Sequence, residues 1–462
     1  MNDSLSKLLH QTAEEVAGYR AGLSERPVAP SADPAVLRDR FGSGALAADP
    51  TPSGEVLQQL VDAATDGLMA SAGPRFFGFV IGGALPAATA ADMLAAGWDQ
   101  CAFNAVLSPA AAAAEEVAGG WLKHLLGIPD SASVGFVTGA QEANTVGLAA
   151  GRHHVLAEAG WDAERDGLAG APPVRVVAGA ERHATIDRSL RLLGLGTACL
   201  EEVSADDNGA IDVADLERVL ARRPHTATIV CLQAGNVNTG ACDNLATGCD
   251  LAHRHGAWVH VDGAFGLWAA ASPATAHLVA GRERADSWGC DGHKWLNLPY
   301  DSGFVFCARP KVHAAAASYT ASYLVGSGGP TPGLADLTLA SSRRARGFAT
   351  WAGLRELGRD GVADLVDRLC RLARRFAGQL ATGGAEVVND VVLNQVLVDL
   401  GDDVDTDRLV EAVQRDGTCW VGGTTWRGRR LIRISVSNHT TTEADVDRSV
   451  EAVLRAADTV RS

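Results

Sequence analysis

No run of eighteen or more apolar residues occurs in the 462-residue chain, so nothing in it reads as a membrane-spanning helix. The start, MNDSLSKLLHQTAEEVAGYR, lacks the basic-then-apolar layout of a secretory signal, and the cytoplasm is the expected location. Cysteine is sparse: nine residues are scattered from Cys101 to Cys419 without a C-x-x-C pair. Neither a disulfide framework nor a zinc site is suggested, and reduced thiols, mostly in the core, are expected. Basic residues are outnumbered 55 to 40, giving a formal charge of -15. That balance argues against a nucleic-acid surface, because phosphate binding depends on clustered Lys and Arg. The local cluster Arg343, Arg344 and Arg346 could serve only a small anionic ligand. Also missing are the G-x-x-x-x-G-K-[ST] of a P-loop and the G-x-G-x-x-G of a dinucleotide fold, so no bound nucleotide is indicated.

What is present is a chain that is 47% hydrophobic and 21% charged, able to bury a large core and divide into two or more domains. Two helix-like segments, about 5–22 and 54–69, form an N-terminal arm over residues 1–75. An Ala/Gly-rich stretch, 82–120, ends in a helical run through Val117, Trp121 and Leu125. From Val134 onward β-rich runs alternate with helical ones: VGFVT, VRVVAG, ATIVCLQ, WVHVD and GFVFC, with helices near 142–159, 185–193 and 245–255. This alternation predicts an α/β domain with a mainly parallel sheet over 76–345. Long helices near 346–357 and 361–379, the strand-like VVLNQVLVDL and RLIRISVS, and a last helix near 442–457 predict a smaller α+β domain over 346–462.

Four segments carry chemistry. In DGHKWLN, residues 291–297, Lys294 stands between a polar loop and the strand GFVFC, an odd place for a solvated lysine. In WVHVDGAFG the strand ends at Asp262, and open α/β sheets bind ligands at the carboxyl ends of their strands. A metal site built from His253, His255 and His260 is disfavoured, since the first two belong to a helix end and only His260 shares a strand face with Asp262. In FVTGAQEAN a strand ends in a Gly-Ala turn and opens a helix, whose free N–H groups and positive end suit a phosphate. In ERHATID, His183 occupies another strand-to-helix turn on the same rim. A phosphate turn, a planar ring, a carboxylate and a lysine in one crevice are what pyridoxal phosphate requires.

On these motifs, and from GPRFFGFV near residue 75 to ISVSNHTTTEADVD near the C-terminus, the chain resembles the group II pyridoxal-phosphate-dependent amino acid decarboxylases, the aromatic amino acid and glutamate decarboxylase family, and especially its bacterial members. The resemblance implies the aminotransferase-like fold type I and α-decarboxylation of an L-amino acid through an external aldimine. It implies that Lys294 is the Schiff-base lysine, Asp262 the partner of the pyridinium nitrogen and His183 the histidine stacked on the ring. By the same carry-over Ala264 is the small residue beneath the ring, Gly139, Ala140 and Gln141 form the phosphate turn, and His293 adjoins it. A homodimer with active sites at the interface is implied too. Phe76, Phe77, Phe79, Trp98 and Phe103 fall where relatives line the substrate pocket, hinting at an apolar or aromatic substrate, and Arg433 is a candidate for its carboxylate.

Two departures stand out. Ala234, Gly235, Asn236 and Val237 replace the usual A-G-T-T, which removes a hydroxyl near the cofactor. The loop after Tyr323, LVGSGGPTPGLADLTL, lacks the tyrosine that protonates the carbanion in many relatives. Oxidative deamination to an aldehyde, transamination or carbon-carbon cleavage are therefore alternatives, and a non-catalytic cofactor-binding protein is a third.

Overall fold

The computed structural model describes residues 2–224, 226–318, 333–401 and 403–461. The arm carries α1 (Asn2–Ala21), α2 (Pro34–Phe41) and α3 (Ser53–Ala64). Asp33 caps α2 by accepting from the Ala35 N–H at 2.7 Å, inside a Pro/Ala/Gly-rich stretch that periodicity reads as a connection. The Ala/Gly-rich region folds into α4 (Pro86–Trp98) and α5 (Pro109–Leu126), each opened by a proline at its first position.

The central sheet contains β1 (Ser133–Val137), β2 (Arg175–Gly179), β3 (Leu200–Val203), β4 (Thr228–Gln233), β5 (Trp258–Asp262), β6 (Ser287–Asp291) and β7 (Gly303–Cys307). Their spatial order is β1-β7-β6-β5-β4-β2-β3, with β7 antiparallel to both neighbours and every other pairing parallel. β5, β6 and β7 are buried along their whole lengths, as expected of strands covered on both faces. α6 (Ala140–Glu158) lies on one face, with α7 (Ala163–Asp166) after it; α8 (Ala184–Leu192), α9 (Val213–Ala221) and α10 (Leu245–Arg254) complete the βα units, and α11 (Pro310–Ala317) packs on α6.

A second sheet, order β10-β11-β9-β8, is formed by β8 (Glu386–Val387), β9 (Gln395–Asp399), β10 (Gly422–Trp426) and β11 (Arg429–Ser435). Against it pack α12 (Gly347–Thr382), α13 (Thr406–Asp416) and α14 (Glu443–Arg461). α12 breaks at Gly358, whose φ of 64° no helix accepts, so it runs as two helical segments on either side of that residue, as expected. No helix among the described residues is long and apolar enough to cross a membrane. The cysteines are unpaired and six of the nine are buried, as expected of reduced core thiols.

Candidate active site

The parallel strands end on one rim, and the turns after β1, β2, β4, β5 and β6 meet there around a crevice of about 320 Å³. Its walls include all eight residues singled out from sequence: Gly139, Ala140, Gln141, His183, Asp262, Ala264, His293 and Lys294. A second hollow of about 420 Å³, between Trp121, Leu125 and Leu354, gathers neither a lysine nor a carboxylate.

Asp262 ends β5, is 4% exposed, and accepts from the Ala264 N–H at 3.3 Å. His183 caps α8: its Nδ1 accepts from the Thr185 N–H at 3.3 Å and lies 2.9 Å from the Thr185 hydroxyl. Burial pushes the His183 pKa down, while the charge of Asp262 works in the opposite direction. Lys294 sits in the turn after β6, and its Nζ lies 2.8 Å from Asp291 Oδ2.

Asp291 is the residue to which the sequence assigned nothing. Its other oxygen accepts from the Ala140 N–H at 2.5 Å and lies 3.4 Å from His293 Nε2. His293 Nδ1 accepts from the Ser302 N–H at 3.2 Å, which leaves Nε2 to donate to Asp291. A buried carboxylate thus joins the start of α6 to the lysine, where the helix dipole favours a negative charge. The D-x-x-K spacing at a strand end was the available signal. Gln233, Thr185, Phe265 and Tyr300 also line the crevice and were not anticipated; the Tyr300 ring stacks on His293 at 4.2 Å.

Several expectations need correction. The turn before α6 does not offer all its N–H groups to a ligand, because Ala140 already donates to Asp291. The Gln141 side chain turns away, donating to Ser189 Oγ at 3.0 Å. Phe76 stacks on Trp420 and Phe77 sits edge-on to Phe376, both in the core, while Phe79 and Trp98 are exposed. Phe103 does not line the crevice either, so its aromatic side chains are Phe265, Tyr300, His183 and His293. Asn236 is buried in its own turn: its Nδ2 donates to the Glu181 carbonyl at 2.9 Å and its Oδ1 accepts from the Asn238 N–H at 2.8 Å. Arg433 is not in the lining; it donates weakly to the Val237 carbonyl at 3.4 Å, and burial lowers its pKa. Arg343, Arg344 and Arg346 are ion-paired with Glu115, Asp92 and Asp301, so no free basic cluster exists there. Tyr323 and most of the loop that follows lie outside the described residues.

The residues present fit pyridoxal phosphate. At the start of α6 the N–H groups of Gly139, Gln141 and Glu142 find no acceptor among the described residues, which is a cradle suited to a phosphate. Beside it are a lysine, a buried carboxylate and a neutral imidazole, with small Ala264 between the strand end and Phe265. Fold and crevice together define a pyridoxal-phosphate enzyme of fold type I.

Comparison with known proteins narrows the class. Residues 43–400 match the pyridoxal-dependent decarboxylase conserved domain, and the chain belongs to that family. It is 26% identical over 487 residues to tryptophan decarboxylase 1 of Oryza sativa, covering 98% of this chain and 93% of that one. It is 24% identical over 388 residues to phenylacetaldehyde synthase of a Rosa hybrid cultivar, covering 80% and 74%. In three dimensions it is similar to Oryza sativa TDC solved with PLP and tryptamine, with a TM-score of 0.92, 24% identity and coverage of 100% and 99%. The protein is a pyridoxal-phosphate-dependent enzyme that decarboxylates an amino acid.

Proposed function

We propose that Lys294 holds the cofactor, Asp262 faces the ring nitrogen, His183 stacks on the ring and Ala264 lies beneath it. The turn at Gly139, Ala140 and Gln141, with His293 beside it, receives the phosphate. The observation that carries this assignment is the convergence of Lys294, Asp262 and His183 on one crevice at the carboxyl ends of the strands. Bound pyridoxal phosphate supplies the electron sink for the bond broken at the amino acid's α-carbon. The protein's own contributions are those of charge and position. Asp262, 4% exposed, is a fixed negative charge in a poorly solvated place, suited to holding a proton on a ring nitrogen. Asp291 orients Lys294 Nζ into the crevice.

The substrate we favour is an L-amino acid with an aromatic or apolar side chain. Val237, Phe265 and Tyr300 give the crevice an apolar fringe, and one relative is by its name a tryptophan decarboxylase. We further propose a homodimer. The arm leaves Leu5, Leu9, Phe41 and Leu60 more than half exposed, and Trp98 of α4 is 53% exposed, apolar side chains that a partner subunit would cover. The proposed parts are an arm (1–75), a large α/β domain (76–345) and a small α+β domain (346–462), supported by the two separate sheets. A cytoplasmic location is supported by the unpaired thiols.

A second reading, formation of an aldehyde, is favoured by the tyrosine-free loop and by the similarity to an aldehyde synthase. The test of the main assignment is spectroscopic: the purified protein should absorb at about 420 nm, and Lys294→Ala should lose that band. An unchanged spectrum in the variant would refute the role of Lys294.

A further inference from the structure

Behind the crevice runs a row of buried polar side chains that ends on His183. Trp258 Nε1 lies 3.0 Å from Ser287 Oγ, which lies 2.9 Å from His260 Nδ1. His260 Nε2 lies 3.0 Å from Asn144 Oδ1, and Asn144 Nδ2 lies 3.1 Å from Thr185 Oγ1. Thr185 Oγ1 in turn lies 2.9 Å from His183 Nδ1. Trp258, Ser287, His260 and Asn144 are at most 1% exposed. The backbone makes room for them. A Cβ on Gly147 would come within 2.5 Å of the His260 ring, and one on Gly289 within 2.6 Å of Asn144 Oδ1.

The row has a direction. An indole N–H can only donate, so Ser287 Oγ accepts from Trp258 and its own hydrogen points to His260 Nδ1. Burial lowers the His260 pKa to about 3, so the ring is neutral, and with Nδ1 accepting, its proton is on Nε2. That proton goes to Asn144 Oδ1, the amide NH₂ goes to Thr185 Oγ1, and the threonine hydrogen is left for His183 Nδ1. The Thr185 backbone N–H points to the same nitrogen. His183 Nδ1 is therefore an acceptor twice over. The opposite direction would send the Ser287 hydrogen to the Gly147 carbonyl at 3.5 Å and leave His183 Nδ1 with the backbone contact alone.

We propose that this row is a positioning device that fixes His183 as the ring tautomer with its proton on Nε2, so that the crevice receives a hydrogen-bond donor fitted to an anionic group such as an amino acid carboxylate. The inference rests on His183 facing bound cofactor and substrate. His260 and Asn144 are positioning residues in this scheme and lie behind the crevice lining, whereas Thr185 reaches the lining and acts on His183 through its hydroxyl.

The test is long-range ¹H–¹⁵N NMR of the full-length protein with ¹⁵N-labelled histidine rings, recorded with and without pyridoxal phosphate, His183 being assigned by its loss in His183→Gln. In the wild type His183 Nδ1 should be the unprotonated nitrogen and Nε2 the protonated one. Thr185→Val should shift the tautomer ratio about fivefold toward Nδ1–H, the size expected for one hydrogen bond. Thr185→Ser should restore it. Ser287→Ala, outside the crevice lining, should move both the His260 and the His183 signals. Thermal melts of each variant separate a tautomer change from unfolding. Protonated Nδ1 in the wild type, or an unmoved His183 in folded Thr185→Val or Ser287→Ala, would overturn the proposal. The cofactor-bound spectra keep the two ideas apart: a correct tautomer with no response of His183 to pyridoxal phosphate would refute its assigned role and leave the row intact.

Discussion

Acidification should unfold this protein partly through His260, and the size of the effect follows from its burial. The ring is 0% exposed, between Asn144 and Ser287, and its pKa is pushed down from 6.5 to about 3. Below pH 6.5 the unfolded chain takes up a proton at this ring and the folded protein does not. The contribution to stability is therefore complete above about pH 6.5 and is lost as the pH falls toward 3. At pH 5, about one and a half units below the unfolded pKa, the loss is ~2 kcal/mol at ~1.4 kcal/mol per unit. His313, buried and lowered to about 4, adds a similar amount over nearly the same window. Equilibrium urea unfolding at pH 7 and pH 5 measures the sum, and His260→Gln isolates the first part. A glutamine amide can accept from Ser287 and donate to Asn144, yet it does not titrate. The wild type should lose ~2 kcal/mol more than the variant between the two pH values. Equal losses in the two proteins would show that His260 is solvated or protonated in the folded state, and the reasoning would fail.

Asp262→Asn should still bind pyridoxal phosphate but lose nearly all turnover, because a neutral amide no longer holds the ring nitrogen protonated; parallel absorbance and product assays check this, and near-normal rates would mean another partner. Glu115→Gln should destabilise the fold by about 3–5 kcal/mol, since it strands the charge of Arg343, which is 2% exposed and now bonded at 2.6 and 2.7 Å; the double replacement Glu115→Leu with Arg343→Met should recover most of that loss in urea unfolding. If no other group does the work of the absent loop tyrosine, a carbonyl product should accompany the amine, more under air than under nitrogen; amine alone in both atmospheres would exclude it.

The site was legible because each of its parts ends a strand or opens a helix and carries a residue type rare in such a place. Lys294, Asp262 and His183 needed no knowledge of what packs behind them. Asp291 did, because its role depends on Ala140, which is 151 positions away in sequence and reaches it only through sheet order. The strand containing it, SWGCD, is not among the β-rich runs that stand out in the sequence, being short, polar at both ends and interrupted by Gly289. That glycine is required by the Asn144 side chain from the opposite layer, a tertiary demand that overrides strand propensity. Phe76 and Phe77 join the core and not the crevice for a related reason: a large apolar side chain suits a core and a pocket equally, and sequence cannot tell which wall it joins.

The same helix explains why cradle and histidine are set together. α6 presents free N–H groups at its first turn, Asn144 one turn later and Gly147 and Gly151 on the face toward β5. A Cβ on Gly151 would come within 2.8 Å of Trp258, as one on Gly147 would meet His260. The helix can therefore lie close against the strand that ends in Asp262, and that closeness lets the Asn144 amide span from His260 to Thr185. Moving α6 away from the sheet by one methyl group would strain the Asn144 contacts and displace the N–H groups at the helix start together. The small residues of α6 thus act on the crevice through geometry: they fix where a phosphate can be held relative to the carboxylate, and which nitrogen of His183 carries its proton.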